Sequence, residues 1–355
     1  MNAIELFSGA GGILIALEEC GVNTLFSNEI DPKFAQTHYH NFPDVPLIEG
    51  DIRDITNDIV RKYIASKQVD LVTGGPPCQG FSIFGKRRFV NTQGYMPKKD
   101  PRNKLVYEFI RIVEMLKPKF FLMENVKGFM NLDSGFFVET IKKEFENIGY
   151  KNLWCDVVCA ADYGVPQIRH RMFMIGNRLG IPFSPPSPTH FPVASNKTPT
   201  YNTVGAAIMD LVDNKDIPNN IALQHKPTVA ARMGYVKEGG KLNIDDLPPA
   251  LLQATRKDSV TGNVSNYSHI YKRLDRNKPA WTMVPGHNAF PIHPTLNRTL
   301  TPREAARIQS FPDTHIFFGT RQEQCIQVGN AVPPEMVKPF IMRIKEHIKR
   351  EPYEP

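Results

Sequence analysis

Short β-rich runs alternate with apolar-periodic helical stretches through the first half of the chain, and this alternation constrains the fold more than any other feature. The alternating segments are, in chain order, strand 3–7, helix 12–20, strand 24–28, helix 31–41, strand 69–73, helix 104–116, strand 120–123 and helix 134–148. Strands that alternate with helices form a parallel sheet with helices on its faces. The pattern therefore predicts an α/β fold.

The second half of the chain has a different composition. After Gly176 it becomes rich in Pro and Asn, and the alternation fades until about Asn297. Regular structure returns at Thr301-Pro302-Arg303-Glu304, a capping-box pattern that predicts a helix near 301–310. A final apolar-periodic helix is expected over about 335–350. We therefore expect one domain from residues 1–183 plus 325–355, and a smaller, irregular one from residues 184–324 that includes the helix near 301–310.

The charge balance is basic. The 355 residues include 43 Lys and Arg against 36 Asp and Glu, for a net charge of +7 and a pI near 9.0. This balance favours a polyanionic partner. With 41% hydrophobic residues and no apolar run of spanning length, the composition predicts a soluble protein with a sizeable core rather than a disordered or membrane protein. No signal sequence is evident at the start, so we expect a cytoplasmic protein.

The five cysteines do not predict a disulfide framework or a metal site. They are odd in number and scattered, and no pair of Cys-x-x-Cys units occurs. Cys155 and Cys159 lack a neighbouring His or Cys that would complete a zinc site, so buried packing is the expected role. We predict no metal.

A cofactor signal follows the first strand. The segment Phe7-Ser8-Gly9-Ala10-Gly11-Gly12 leads into a helix, and its glycines permit a tight turn with a ligand close to the backbone. Alone, such a turn needs no ligand. Glu29, at the end of the second strand, is placed to accept ribose hydroxyls, and Asp51 to accept an adenine amino group. Together they indicate a nucleoside cofactor; the glycine spacing argues against a dinucleotide.

A catalytic signal follows later strands. Gly74-Gly75-Pro76-Pro77 forms a rigid turn that leaves Cys78 at the carboxyl edge of the sheet, and Glu124 ends the next strand. Within a strand entering 172–175, residues two apart share a face, so Arg169 and Arg171 are expected to point the same way as Gln167. The alternatives at this point are a packed cysteine, a solvated strand end and surface arginines.

These motifs together resemble those of DNA (cytosine-5) methyltransferases. The motifs that carry the resemblance, in the family's order, are Phe7-x-Gly9-x-Gly11-Gly12, Gly75-Pro76-Pro77-Cys78, Glu124-Asn125-Val126, Gln167-x-Arg169-x-Arg171, Arg303-Glu304 and Gly329-Asn330-Ala331-Val332-Pro333-Pro334. Only about residues 182–280 lack a recognisable motif. The resemblance implies a Rossmann-like S-adenosylmethionine-dependent methyltransferase sheet, with a smaller, irregular target-recognition domain in residues 184–324.

The resemblance also implies catalytic roles. Cys78 would add to cytosine C6, because C5 is otherwise too weak a nucleophile to take a methyl group. Glu124 would bind or protonate N3, a role that favours burial. Arg171 would contact O2, and Arg169 would orient Glu124. The base that removes the C5 proton is not evident.

The cofactor implied by the resemblance is S-adenosyl-L-methionine. Phe7 would stack on adenine, Glu29 would bind the ribose and Asp51 the adenine amino group. The backbone of the turn would hold the amino-acid end. The residues that match cofactor positions of the family are Phe7, Gly9, Ala10, Gly11, Gly12, Glu29, Ile30, Asp51, Ile52, Pro76, Leu105 and Asn330. Glu5 departs from the family, where many members carry Asp, and we expect the change to be tolerated.

Double-stranded DNA is the implied partner. A cytosine in a duplex must be flipped out to reach a thiolate. Segment 79–104 resembles the family's mobile loop, and the residues expected to contact DNA are Gln79, Ser82, Lys86, Arg87 and Arg88. Segment 85–104 carries seven basic residues and one acid, most of the chain's surplus charge. Base recognition is expected in about 184–280, braced by 298–312. We expect a monomer, and the sequence leaves open whether a separate restriction endonuclease accompanies the enzyme.

Three other functions compete with this interpretation. An RNA cytosine-5 methyltransferase of the tRNA-acting branch would carry a Cys-Phe-Thr element, which does not occur in this sequence. An inactive DNA-binding module would have lost Cys78, Glu124 or the glycine turn, and all are retained. A Rossmann-type oxidoreductase would leave Cys78, Glu124 and the paired arginines without a joint purpose.

Overall fold

The computed structural model describes residues 1–77, 104–193, 199–212, 214, 216–252, 271–285 and 290–349. These residues divide into two compact units. The first unit comprises Met1–Tyr163, His170–Pro188 and Val332–Pro355, and the second comprises Gly164–Arg169 and Thr189–Ala331.

A seven-stranded sheet forms the first unit. Its strands, numbered in chain order with β7 in the other unit, are β1 Asn2–Leu6, β2 Asn23–Glu29, β3 Leu47–Glu49, β4 Leu71–Gly74, β5 Phe120–Val126, β6 Asn152–Cys159 and β8 His170–Asn177. Their order across the sheet is β3-β2-β1-β4-β5-β8-β6. The first five run parallel, and β8 runs antiparallel to both β5 and β6. The predicted α/β fold class is confirmed, with one antiparallel strand that the alternation did not predict.

The helices of this unit connect and cover the strands. They are α1 Gly12–Glu19, α2 Pro32–Asn41, α3 Asn57–Ile64, α4 Leu105–Leu116, α5 Phe136–Asn147 and, near the C-terminus, α10 Pro334–Lys349. Asp31 caps α2 by accepting from the Lys33 amide at 2.9 Å. α10 packs against α1, and Lys345 donates to the carbonyl of Cys20 at the end of that helix.

The core of the first unit is apolar and aromatic. Six of the seven residues of β5 are buried, as expected for a central strand covered on both faces. Phe121 stacks on Phe145 of α5 with ring centroids 3.9 Å apart, and Phe109 of α4 meets both rings edge-on. This packing supports β5, which carries the candidate catalytic residue Glu124 near its carboxyl end.

The second unit has little regular structure. Its short strands β7 Gln167–Ile168 and β9 Ala280–Trp281 pair in parallel. Its helices are α6 Val204–Ile208, α7 Pro227–Gly234, α8 Pro302–Ile308 and α9 Arg321–Asn330. The capping box predicted at Thr301 and Glu304 is confirmed: the Thr301 side chain accepts from the Glu304 amide, and the Glu304 carboxylate accepts from the Thr301 amide.

The chain changes unit at Arg169, between β7 and β8. The expectation that Gln167, Arg169 and Arg171 share the face of one continuous strand is therefore wrong. Gln167 pairs with Ala280, whereas Arg171 pairs with Val126 of β5 and Val158 of β6. Alternating polarity gave no sign that the segment divides between two sheets.

Candidate active site

The glycine turn after β1 holds three residues at positive φ, a backbone strain that is common at ligand-binding sites. Phe7 has φ +57°, a rare conformation for an aromatic residue, and Gly9 and Gly11 have φ +55° and +82°. A Cβ on Gly11 would lie 2.4 Å from the ring of Phe42. Only glycine therefore fits at the residue that precedes α1, and the turn brings its backbone to the helix N-terminus.

Glu29 connects this turn to the end of β2. One carboxylate oxygen accepts from the Gly9 amide at 2.7 Å, and the other accepts from the Ile30 and Asp31 amides, both at 2.8 Å. Burial raises the pKa of the Glu29 carboxyl, and the three backbone hydrogen bonds oppose that rise. Each carboxylate oxygen has two acceptor positions, so Oε1 is fully used and Oε2 retains one position for a ligand hydroxyl.

Asp51 ends the third strand region as expected, and its carboxylate is held by Arg53. It accepts from the Arg53 amide and from Arg53 Nε, both at 2.9 Å, and the two side chains form an ion pair. This arginine lowers the pKa of the Asp51 carboxyl. Ile52 is buried, whereas the Ile30 side chain is 61% exposed at the edge of the same region.

The other predicted cofactor residues lie in the glycine turn and on α1, after β4, on α4 and on α9. Ala10 is buried in the turn, and Gly12 begins α1. Pro76 is buried after β4, and Leu105 begins α4. Asn330 is an exposed residue at the end of α9, in the second unit. The structure brings all of them except Asn330 into the first unit, and their contact with a cofactor stays a prediction.

Glu124 and Arg171 form a nearly buried ion pair. Glu124 lies near the end of β5 and Arg171 near the start of the neighbouring β8, and Arg171 Nε lies 2.9 Å from Glu124 Oε1. Their side chains are 11% and 13% exposed, respectively. Burial lowers the pKa of the Arg171 guanidinium, and Glu124 partly offsets that effect. The pair is thus held in a poorly solvated position.

The turn that precedes Cys78 lies directly beside this pair. A Cβ on Gly75 would be 2.9 Å from Glu124 Oε2, so glycine permits the close approach of the carboxylate. Asn125 donates from Nδ2 to the carbonyl of Pro76 at 3.0 Å. The end of β5 and the Gly-Pro-Pro turn are therefore connected. Asn125 belongs to a recognised motif, but sequence reasoning gave it no role.

Arg169 lies in the second unit and is fully buried. It donates to the carbonyls of Met283 at 3.2 Å, Gly329 at 3.0 Å and Ala331 at 2.9 Å. Two of those carbonyls belong to the Gly329–Pro334 motif, so Arg169 fixes one family motif to another. Its expected role in orienting Glu124 stays a prediction, whereas the ion pair with Glu124 comes from Arg171.

The predicted nucleophile and the predicted DNA contacts all belong to segment 78–88. Cys78, Gln79, Ser82, Lys86, Arg87 and Arg88 lie outside the described residues. In the part of the chain that is described, Cys20, Cys155 and Cys325 are free thiols, and no cluster of His, Cys, Asp or Glu could hold a metal ion. Burial raises the pKa of the Cys155 thiol to about 11, consistent with a packing role. No helix within the described ranges is long and apolar enough to cross a membrane.

Glu5 is a buried acid that sequence reasoning treated only as a family variation. It lies on β1 just before the glycine turn and is 1% exposed, and burial together with the nearby Glu29 raises its pKa well above the usual range. One of its oxygens and the Ser8 hydroxyl are buried without a hydrogen-bond partner among the described residues. The sequence does contain a signal for this residue, because Glu5 is an acidic side chain within an otherwise apolar strand segment, Ala3-Ile4-Glu5-Leu6.

Comparison with known proteins identifies the family. The family model for C-5 cytosine-specific DNA methylases matches residues 1–346. The chain belongs to this family. The chain is 39% identical over 341 residues to the Type II methyltransferase M1.HphI of Haemophilus parahaemolyticus, covering 94% of this chain and 84% of that protein. It is therefore a DNA cytosine-5 methyltransferase, and the recognition from motifs is confirmed.

Solved structures agree with this assignment. A candidate DNA modification methyltransferase encoded within an E. coli prophage superposes with a TM-score of 0.73 at 25% identity, covering 99% of this chain and 100% of that one. The S. pombe Dnmt2 methyltransferase gives a TM-score of 0.62 at 16% identity, covering 98% and 99%, and shows likeness of fold alone. The predicted methyltransferase fold is confirmed.

Proposed function

We propose that this methyltransferase takes its methyl group from S-adenosyl-L-methionine and acts on a cytosine flipped out of double-stranded DNA, within a specific short sequence. The observation that carries the proposal is the Glu124–Arg171 pair, connected through Asn125 to the turn that leads into Cys78. A carboxyl, a guanidinium and a thiol would then surround one base.

The first-unit turn fits the cofactor. The left-handed glycines and the absence of space for a Cβ at Gly11 give a backbone that a ligand can approach closely. Glu29 presents a buried carboxylate beside it, and the unpartnered Ser8 hydroxyl is an available donor or acceptor. Glu29 would hold the ribose and Asp51 the adenine amino group. When bound, S-adenosylmethionine supplies a sulfonium-linked methyl group to a carbon nucleophile.

The chemistry on the base would proceed through a covalent adduct. The Cys78 thiolate would add to C6, and the π electrons of the C5=C6 bond would shift through C4 toward N3, which makes C5 nucleophilic. Arg171 donates to O2 and Glu124 hydrogen-bonds or protonates N3, which stabilises the charge that develops there. After C5 takes the methyl group, loss of the C5 proton returns the electron pair and expels Cys78 by elimination.

The relatives suggest a biological setting. M1.HphI is named as a Type II methyltransferase, and we propose that this chain likewise modifies the site of a separate restriction endonuclease. The DNA would meet Gln79, Ser82, Lys86, Arg87 and Arg88, and the second unit would read the sequence.

A trapping experiment tests the adduct. DNA that carries 5-fluorodeoxycytidine at the target cannot lose its C5 substituent as a proton, so the covalent complex should accumulate with S-adenosylmethionine. We expect a band stable to denaturation with the wild-type protein and none with Cys78→Ser, which should still bind DNA. Bisulfite sequencing of plasmid DNA from expressing cells supplies the target site. Full methylation by Cys78→Ser would overturn the mechanism.

A further inference from the structure

Arg111 of α4 makes three directed contacts at one side of the proposed adenine site. Its Nε donates to Glu108 Oε2 at 2.7 Å, one turn earlier on the same helix. Its Nη1 donates to the Ile55 carbonyl at 2.9 Å and its Nη2 to the Ile52 carbonyl at 2.8 Å. Glu108 therefore fixes the plane of the guanidinium, and the other two donors point at the chain that follows Asp51.

The segment that Arg111 contacts has few hydrogen bonds of its own. Residues Ile52–Asp54 form a single 3₁₀ turn between β3 and α3, closed by two backbone hydrogen bonds: Asp54 donates to the Asp51 carbonyl at 3.0 Å and Ile55 to the Ile52 carbonyl at 3.2 Å. On the opposite side, Asn28 of β2 donates from Nδ2 to the carbonyls of Ile48 at 2.8 Å and Gly50 at 2.9 Å. Asn28 thus holds the backbone that precedes Asp51 in the chain, and Arg111 holds the backbone that follows it.

Arg111 also connects two of the elements proposed to bind the cofactor. Asp51 and Ile52 lie on the turn, and Leu105 is the first residue of α4, the helix that carries Arg111. Arg53, also on the turn, is engaged with the Asp51 carboxylate and is 64% exposed, and its interaction with Glu108 of α4 is electrostatic only. Of these side chains, Arg111 alone bonds the turn to α4 by hydrogen bonds.

We propose that Arg111 is a positioning residue for the adenine end of the cofactor site. By holding the Ile52 and Ile55 carbonyls against α4, it sets the distance and direction of the Asp51 carboxylate relative to Leu105. The inference rests on the proposed function, because it takes Asp51 and Leu105 as cofactor contacts. It adds a residue that does not itself touch the cofactor.

The test compares Arg111→Met, which keeps the length of the side chain but removes its donors, with wild type. We expect the Kd for S-adenosylhomocysteine, measured by calorimetry, and the KM for S-adenosylmethionine to rise about tenfold. The kcat at saturating cofactor and the KM for DNA should stay within about twofold of wild type. Arg61→Met on α3, where the arginine is 77% exposed, is the matched control and should change none of these quantities.

A double-mutant cycle with Asp51→Asn separates positioning from a general structural role. If Arg111 acts through Asp51, Arg111→Met should weaken binding less in the Asp51→Asn protein than in wild type. Arg111→Lys can reach only one of the two carbonyls and should give a Kd between those of wild type and Arg111→Met. It replaces Arg111→Met in the test if that variant does not fold. Equal affinity of the Arg111 variants and wild type, strictly additive effects, or a loss confined to kcat would overturn the inference. A wild-type protein that binds no S-adenosylhomocysteine would instead overturn the proposed cofactor.

Discussion

The two units are built from different interior chemistry. In the first, the core is a continuous cluster of aliphatic and aromatic side chains against a seven-stranded sheet. The second unit also buries apolar side chains, among them Ile208, Phe311 and Phe317, and it has a small apolar cluster around Met233 and Ile292. All the buried arginines in the described part of the chain lie in the second unit. They are Arg169, Arg232, Arg273 and Arg303.

The difference follows from where the backbone hydrogen bonds go. A sheet pairs its own carbonyls, so apolar side chains are sufficient to fill the space around it. Irregular chain leaves carbonyls without partners, and a guanidinium with five donors can satisfy several at once. Arg273 donates to the carbonyls of Val236, His293, Leu296 and Met233 at 2.6 to 2.8 Å, and to the side chain of Asn297 at 2.7 Å. Arg273 thus joins segments 233–236 and 293–297 by hydrogen bonds, a role that backbone pairing has in a sheet.

The largest predicted effect is the loss of this arginine. Arg273→Met should lower the free energy of unfolding of the second unit by more than about 4 kcal/mol, because three buried carbonyls and one half-buried carbonyl lose this donor together. Hydrogen exchange measured by mass spectrometry should show loss of protection around residues 233–236 and 292–297. The strands β1, β4 and β5 should keep their protection.

Two control variants sharpen the comparison. Arg276→Met removes an arginine that pairs with Glu238 at the surface, 45% exposed, and should leave exchange in both units nearly unchanged. Phe121→Leu in the first unit should cost about 1 to 2 kcal/mol, spread over the sheet, since an apolar core tolerates an apolar replacement. If Arg273→Met behaves like Arg276→Met, buried arginines do not hold the second unit together.

A smaller effect depends on pH. His293 is fully buried in the second unit, with Glu304 3.7 Å from its Nε2, and Arg298 and Arg273 nearby. Burial lowers its pKa to about 4. As the pH falls, His293 in the unfolded chain therefore takes up a proton at a higher pH than His293 in the folded chain. The stabilisation that depends on neutral His293 is complete above about pH 6.5 and is lost as the pH falls toward 4.

The measurement is urea unfolding at several pH values. We expect the free energy of unfolding of the second unit to fall by at most about 1.4 kcal/mol per pH unit across that window. His293→Asn, which keeps an acceptor near the Thr295 and Leu296 amides that bond to Nδ1, should reduce the slope. An unchanged slope in the variant would assign the pH dependence to other groups.

Much of the first unit could be predicted from the sequence, because its strands are short apolar runs separated by helices with clear periodicity. The predicted helix over 104–116 and strand over 120–123 agree with α4 and β5 to within a few residues. The direction of β8 could not be predicted, since periodicity carries no information about the orientation of a strand. Periodicity also gives no indication that the chain passes from one sheet to another at Arg169.

The site was predictable where a motif places residues, but not where neighbours from distant segments complete it. Glu29 and Asp51 lie at strand ends as expected, yet the partners of their carboxylates, such as Arg53, depend on local geometry. Buried arginines resemble surface charges in a sequence, so Arg273 gave no signal. Arg111 fell within a recognised amphipathic helix, and only the structure reveals which carbonyls it binds.

The most direct test of the central claim is the identity of the methylated nucleoside. The purified protein would be incubated with S-adenosylmethionine and either unmethylated DNA or total RNA, and the digests analysed by liquid chromatography and mass spectrometry, with Cys78→Ser as the control. We predict 5-methyldeoxycytidine in the DNA digest with the wild-type protein alone. Methylation only in RNA, N4-methyldeoxycytidine in DNA, or no methylated cytosine in either digest would contradict the account.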